Sequence, residues 1–61
     1  MEITILPKSQ RAKNRIKEHG SKMILIKELK NKILVQSIEK TWRNQFWLGW
    51  FDNEEADFLN N

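Results

Sequence analysis

The apolar positions of this 61-residue chain change period along its length, and each change marks a predicted element. Glu2-Ile3-Thr4-Ile5-Leu6 alternates polar with apolar and is rich in β-branched residues, which predicts a short strand ended by Pro7. The alternation then stops. From Lys8 to His19 helix formers such as Arg11, Ala12, Lys13 and Lys17 dominate, and Gly20 stands where a helix commonly needs a left-handed residue, so a helix is predicted over 8–19. Its apolar stripe is thin, because at 100° per residue only Ala12 and Ile16 align, with Ser9 and His19 at the margins.

Three further strands follow. Met23-Ile24-Leu25-Ile26 within 22–29 is a short apolar run, and Lys30-Asn31-Lys32 supplies a reversal in which Asn31 suits a positive φ. Residues 33–39 form its partner, and a second reversal spans about Lys40 to Asn44. The run 45–51, Gln45-Phe46-Trp47-Leu48-Gly49-Trp50-Phe51, carries a glycine inside it, which predicts a bulge, a bend or a backbone closely approached. Asp52 with Glu55 three residues on reads as a helix N-cap, predicting a short helix over about 53–58.

The strands do not alternate cleanly. Met23, Leu25 and Leu29 oppose Ile24 and Ile26, while Phe46, Leu48 and Trp50 oppose Trp47 and Phe51, so apolar residues occupy both faces. The expected core set on the last strand is Phe46, Leu48 and Trp50, with Trp42 or Trp47 at least partly exposed. The pattern as a whole predicts one domain over 1–61 of the α+β class. A basic N-terminal helix packs on a small, strongly bent, barrel-like antiparallel sheet, and a helical turn closes the C-terminus.

Length and charge sharpen this. A chain this short buries only about 60% of the surface its unfolded form exposes, and the absence of cysteine rules out disulfides and thiolate zinc as reinforcement. Association or a very compact core must stabilise it. Net charge is +3, but all eleven Lys and Arg lie between Lys8 and Arg43; residues 1–43 carry +7 and residues 44–61 carry −4. Such segregation points to charged partners or to one part neutralising the other. The start lacks a basic leader segment and the longest apolar stretch, Phe46 to Phe51, is far too short to span a bilayer, so a soluble, cytoplasmic chain is expected.

Catalytic chemistry finds no support in the residue pattern. His19 belongs to a helix C-terminus, where the dipole favours a cation, and Ser9, Ser21 and Ser37 lie in no nucleophile motif. Asp52, Glu54, Glu55 and Asp57 lack the glycine and ligand order of a calcium loop and read as capping and solvation of a helix start. The expectation is a non-enzyme with no cofactor, metal, membrane partner or small-molecule substrate.

Two constellations suit binding. Lys8, Arg11 and Arg15 on one helix flank, Lys13 and Lys17 on the other, with Lys22 and Arg43 nearby, suit contact with several phosphates, and Gln10 and Asn14 suit base edges. Trp42, Trp47 and Trp50 suit a stacking platform for single-stranded nucleic acid, and Trp47 and Phe51, or Trp42, suit the anchors of a protein partner, including a second copy of the chain. Nucleic-acid association is the leading expectation. The alternative is an adaptor or inhibitor that binds protein through the aromatic sheet and forms a homodimer, its acidic end meeting the basic helix of a second copy.

The order KILVQSIEKTWRNQFWLGWF, a hairpin leading to Trp-Leu-Gly-Trp and then Asp52-Asn53-Glu54-Glu55, resembles the last strands of a small Src-homology-like β-barrel over about residues 22–55. The proline-binding tyrosine pair and acidic loop of peptide-binding members are absent, so that resemblance implies a fold and no ligand residues. With the basic RAKNRIKEHG segment ahead, the chain also resembles short uncharacterised proteins encoded by tailed phages, which implies host-directed or genome-associated roles, in a host cytoplasm.

Overall fold

A computed structural model describes residues 1–60. β1 (Glu2–Pro7) leads into α1 (Gln10–His19), and β2 (Lys22–Glu28), β3 (Lys32–Lys40), β4 (Phe46–Asp52) and β5 (Ala56–Asn60) follow. All pairings are antiparallel, in the spatial order β4-β3-β2-β1-β5. The expected α+β class is overturned: the protein is 57% strand and 17% helix, and its sheet is a single open one with two unpaired edges rather than a hydrogen-bonded barrel.

The helix begins two residues later than the pattern suggested. Ser9 stays extended (φ −101°, ψ 160°) and its Oγ accepts from the Ala12 amide at 3.1 Å, so it caps the first turn. The C-terminus is as expected: Gly20, at φ 86°, donates its N–H to Ile16 O at 2.7 Å. Ala12 is fully buried and Ile16 packs against the core, so the thin stripe is the docking surface.

The C-terminal helix does not form. Asp52 Oδ1 accepts from the amides of Glu54 and Glu55 at 2.9 and 2.8 Å, the hydrogen bonds a cap would make, but they close a turn, and β5 pairs along β1 from Pro7–Ala56 to Ile3–Asn60. A helix of six residues has almost no stability of its own, whereas the edge of β1 offers a full ladder. The turn also explains the curvature of the sheet. Asn53–Glu55 must carry the chain from one edge strand to the other, a reach of at most about 15 Å for four Cα steps, while four strand spacings in a flat sheet span about 19 Å. The open sheet therefore coils. The turn is tied down by Asn53 N–H to Asn31 O (3.0 Å) and by Glu55 O, which accepts from the amides of Lys8 and Ser9.

The face under the helix holds Ile3, Ile5, Met23, Ile33, Val35, Phe51 and Ala56, with Leu25, Trp47 and Phe58 packed at its border. On β4 this is the parity opposite to the one expected: Trp47, Gly49 and Phe51 point inward, while Phe46, Leu48 and Trp50 lie outward and exposed. Both sets are apolar, so alternation could not choose between them. Space does. The helix offers only a small side chain and Ile16, and Trp47 fits beneath it because its indole lies over Gly49, where a Cβ would overlap the six-membered ring. The glycine thus marks a close approach. Register shifts fall instead on β2, between Leu25 and Lys27, and on β3, between Gln36 and Lys40. In the second, buried Ser37 fills the gap in the ladder: its Oγ accepts from Trp47 N–H at 2.9 Å and donates to Glu39 O at 2.8 Å.

Candidate functional site

The β3–β4 reversal forms one end of the sheet. Thr41 N–H donates to Gln45 O at 2.7 Å, Asn44 N–H to Thr41 O at 2.8 Å and Arg43 N–H to Thr41 Oγ1 at 3.3 Å. Asn44 sits at φ 62°; it, not Asn31, takes the left-handed conformation, which a short polar side chain tolerates. This loop holds Trp42 87% exposed, with the Arg43 guanidinium 4.7 Å from its ring centroid.

Beside the loop, the end of α1 and the start of β2 face the end of β3 across an open groove of about 1040 Å³, lined by Glu18–Lys22 and Ile38–Trp42. His19 forms part of the wall. Its ring stacks on Trp47 (centroids 4.6 Å apart, planes 12° apart), Trp47 in turn meets Phe51 edge-on, and the Arg15 guanidinium lies 5.3 Å from the Trp47 centroid. Trp47 is therefore enclosed between helix and sheet. Lys22 and Lys40 line the groove with Glu18 and Glu39, and Arg43 adds a cation beside Trp42 on the loop.

The predicted binding residues divide on this frame. Lys8 pairs with Asp57 at 3.3 Å and Arg11 with Glu55 at 3.8 Å at the opposite end of the molecule, and the Arg15 guanidinium lies over Trp47. Lys13 and Lys17 are exposed on the helix, and Lys22, Arg43 and Trp42 come together around the groove. Of the proposed anchors, Phe51 is 1% exposed and belongs to the core, and Trp47 is half-buried beneath α1; neither is a surface anchor. Lys40 and His19, which the sequence pattern did not single out for binding, complete the groove. The signal for Lys40 was its place at the end of a strand entering a tryptophan-bearing reversal.

The outer face of the sheet is a second exposed feature. Ile26, Leu48, Trp50 and Leu59 are all open there, and the ammonium groups of Lys32 and Lys40 lie 4.6 and 5.7 Å from the ring centroids of Trp50 and Phe46. Among the described residues no helix is long and apolar enough to cross a membrane.

No protein family, curated protein or solved structure matches the chain. The likeness of residues 22–55 to Src-homology-like barrels, and of the whole to tailed-phage proteins, stands on the sequence pattern alone.

Proposed function

We propose that this protein is a non-catalytic binding module that holds single-stranded nucleic acid at its β3–β4 end. Trp42 stacks on a base, Arg43 and Lys22 contact flanking phosphates, and Lys40 and Lys17 extend the positive path along the groove and the last helical turn. The observation that carries this reading is Trp42 itself. A tryptophan 87% exposed contributes nothing to the core, yet three loop hydrogen bonds hold its reversal in place, with Arg43 over its ring and Lys22 and Lys40 lining the groove beside it. A planar indole accepts any base on its face, and each such stack is worth about 1–3 kcal/mol. Lys8 and Arg11 are left out of this reading because they lie at the other end of the molecule, paired with Asp57 and Glu55.

The test is fluorescence titration of the intact protein with single-stranded DNA, single-stranded RNA and duplex DNA over roughly 50 to 300 mM salt, where release of counterions makes affinity fall steeply. Tighter binding to a single strand, quenching of tryptophan emission and a tenfold or greater loss on Trp42→Ala are expected. Absence of binding to any of the three at the lowest salt overturns the proposal.

A further inference from the structure

We infer that the outer edge of β4 is a self-association surface, at which a second copy of this chain pairs antiparallel about Gly49 to make a two-fold dimer with a continuous sheet. This stands apart from the nucleic-acid reading and, Lys40 excepted, rests on different residues.

The edge has few of the protections that edge strands of soluble proteins carry, the lysines over its Phe46 and Trp50 coming from β3. β4 is seven residues long and contains no proline and no charge before Asp52, and both register shifts of the sheet fall on inner strands. The other edge, β5, is shorter and carries Asp57. Because Trp47 N–H is directed at Ser37 on β3, alternation turns the main-chain N–H and C=O of Phe46, Leu48 and Trp50 away from β3, and no described strand pairs with them, while the Asp52 C=O accepts from Glu55 N–H within the turn. The side chains of Phe46, Leu48 and Trp50, which share that parity, are 47%, 55% and 40% exposed.

A second copy fits this edge in a register that satisfies both groups. With Gly49 opposite Gly49, Leu48 of each copy lies opposite Trp50 of the other, and each such pair exchanges two main-chain hydrogen bonds. No side chains meet at the centre, and the inward space there is already filled by each copy's own Trp47. Asp52 of one copy then falls opposite Phe46 of the other, whose ring carries the Lys40 ammonium 5.7 Å from its centroid. A carboxylate is thereby placed next to an ammonium, and two-fold symmetry makes the contact twice. The same register sets two outward Leu-Trp pairs side by side, removing from water the most apolar part of the outer face.

Sedimentation velocity of the full chain across a wide concentration range should show a monomer–dimer equilibrium. Leu48→Lys, which places a cation on an exposed edge position and leaves the inward face untouched, should weaken dimerisation at least tenfold while the dilute protein keeps its circular dichroism and melting point. Hydrogen exchange of the unmodified protein gives a reading that does not depend on the variant folding: the amides of Leu48 and Trp50 should be protected at high concentration and exchange freely on dilution. A monomer at every concentration overturns the inference, as does a dimer in which those two amides stay unprotected.

Discussion

The two ends of the sheet are built from similar charged side chains and differ in whether the chain itself satisfies them. At the end formed by the β4–β5 turn, Asp52, Glu54, Glu55 and Asp57 meet Lys8, Arg11, Lys30 and Lys32, so net charge is zero; two ion pairs form, and Glu55 O and the Asp52 carboxylate hold the turn together. At the β3–β4 end, Lys22, Lys40 and two carboxylates line an open groove with no lysine–carboxylate pair across it among the described residues, Arg43 lies over Trp42, and that tryptophan stands almost free of the fold. The acidic segment therefore neutralises the first turn of the basic helix and leaves the last turn available. A helix that the charge pattern presents as uniformly basic is divided by its neighbours into a start that lies against carboxylates of the β4–β5 turn and an end whose Lys17 is exposed. The ion pairs that make this division are largely exposed and worth little as stability.

The comparison can be broken at several depths. The largest effect is expected from Phe51→Ala, which empties the centre of the core and should cost about 3–5 kcal/mol. That is most of what a domain of this size has, so thermal unfolding should lose its cooperative transition near room temperature. Trp42→Ala, at the other end, should shift stability by less than about 0.5 kcal/mol; a large destabilisation there would mean that the exposed tryptophan serves the fold after all. Next is Ser37→Ala, which leaves Trp47 N–H buried without its acceptor and should lower stability by about 1–3 kcal/mol in urea titration. A neutral outcome would show that the β3 register shift relaxes into ordinary pairing. Asp57→Asn, a surface change like Trp42→Ala, should also have a small effect. Loss of the Lys8 pair should change the urea midpoint by the equivalent of less than about 1 kcal/mol, and less still at high salt. A greater, salt-independent loss would show that the acidic end contributes more than neutralisation.

Much of the chain was legible before its folding was seen. The strands at Glu2–Pro7, Lys22–Glu28, Lys32–Lys40 and Phe46–Asp52 and the helix at Gln10–His19 lie within a residue or two of the elements that periodicity, Pro7 and Gly20 predict. Ala12 and Ile16 are the helix residues that dock, and Trp42 is exposed. Of the candidate site, the cluster of Trp42, Arg43 and Lys22 was contained in the predicted set, although nothing in the pattern separated it from Lys8 and Arg11. That separation needs the distance from each cation to a carboxylate some 45 residues away in the chain.

What the amino-acid sequence determined by itself was local: where the backbone extends, where it winds, and where glycine or proline ends an element, because these follow from φ/ψ preferences and from the period of burial over a few residues. Three matters were decided only by tertiary structure. The face of β4 that turns inward depends on Trp47 lying over Gly49 beneath a helix too thin to cover the alternative set. The fate of residues 56–60 depends on the free edge of β1, which outweighs a capping signal that is satisfied all the same in a turn. The division of the basic segment depends on the coil of the sheet, which brings the acidic turn onto one end of the helix and leaves the other facing the groove. Each is a choice between locally equivalent options, and only packing and long-range charge distinguish them.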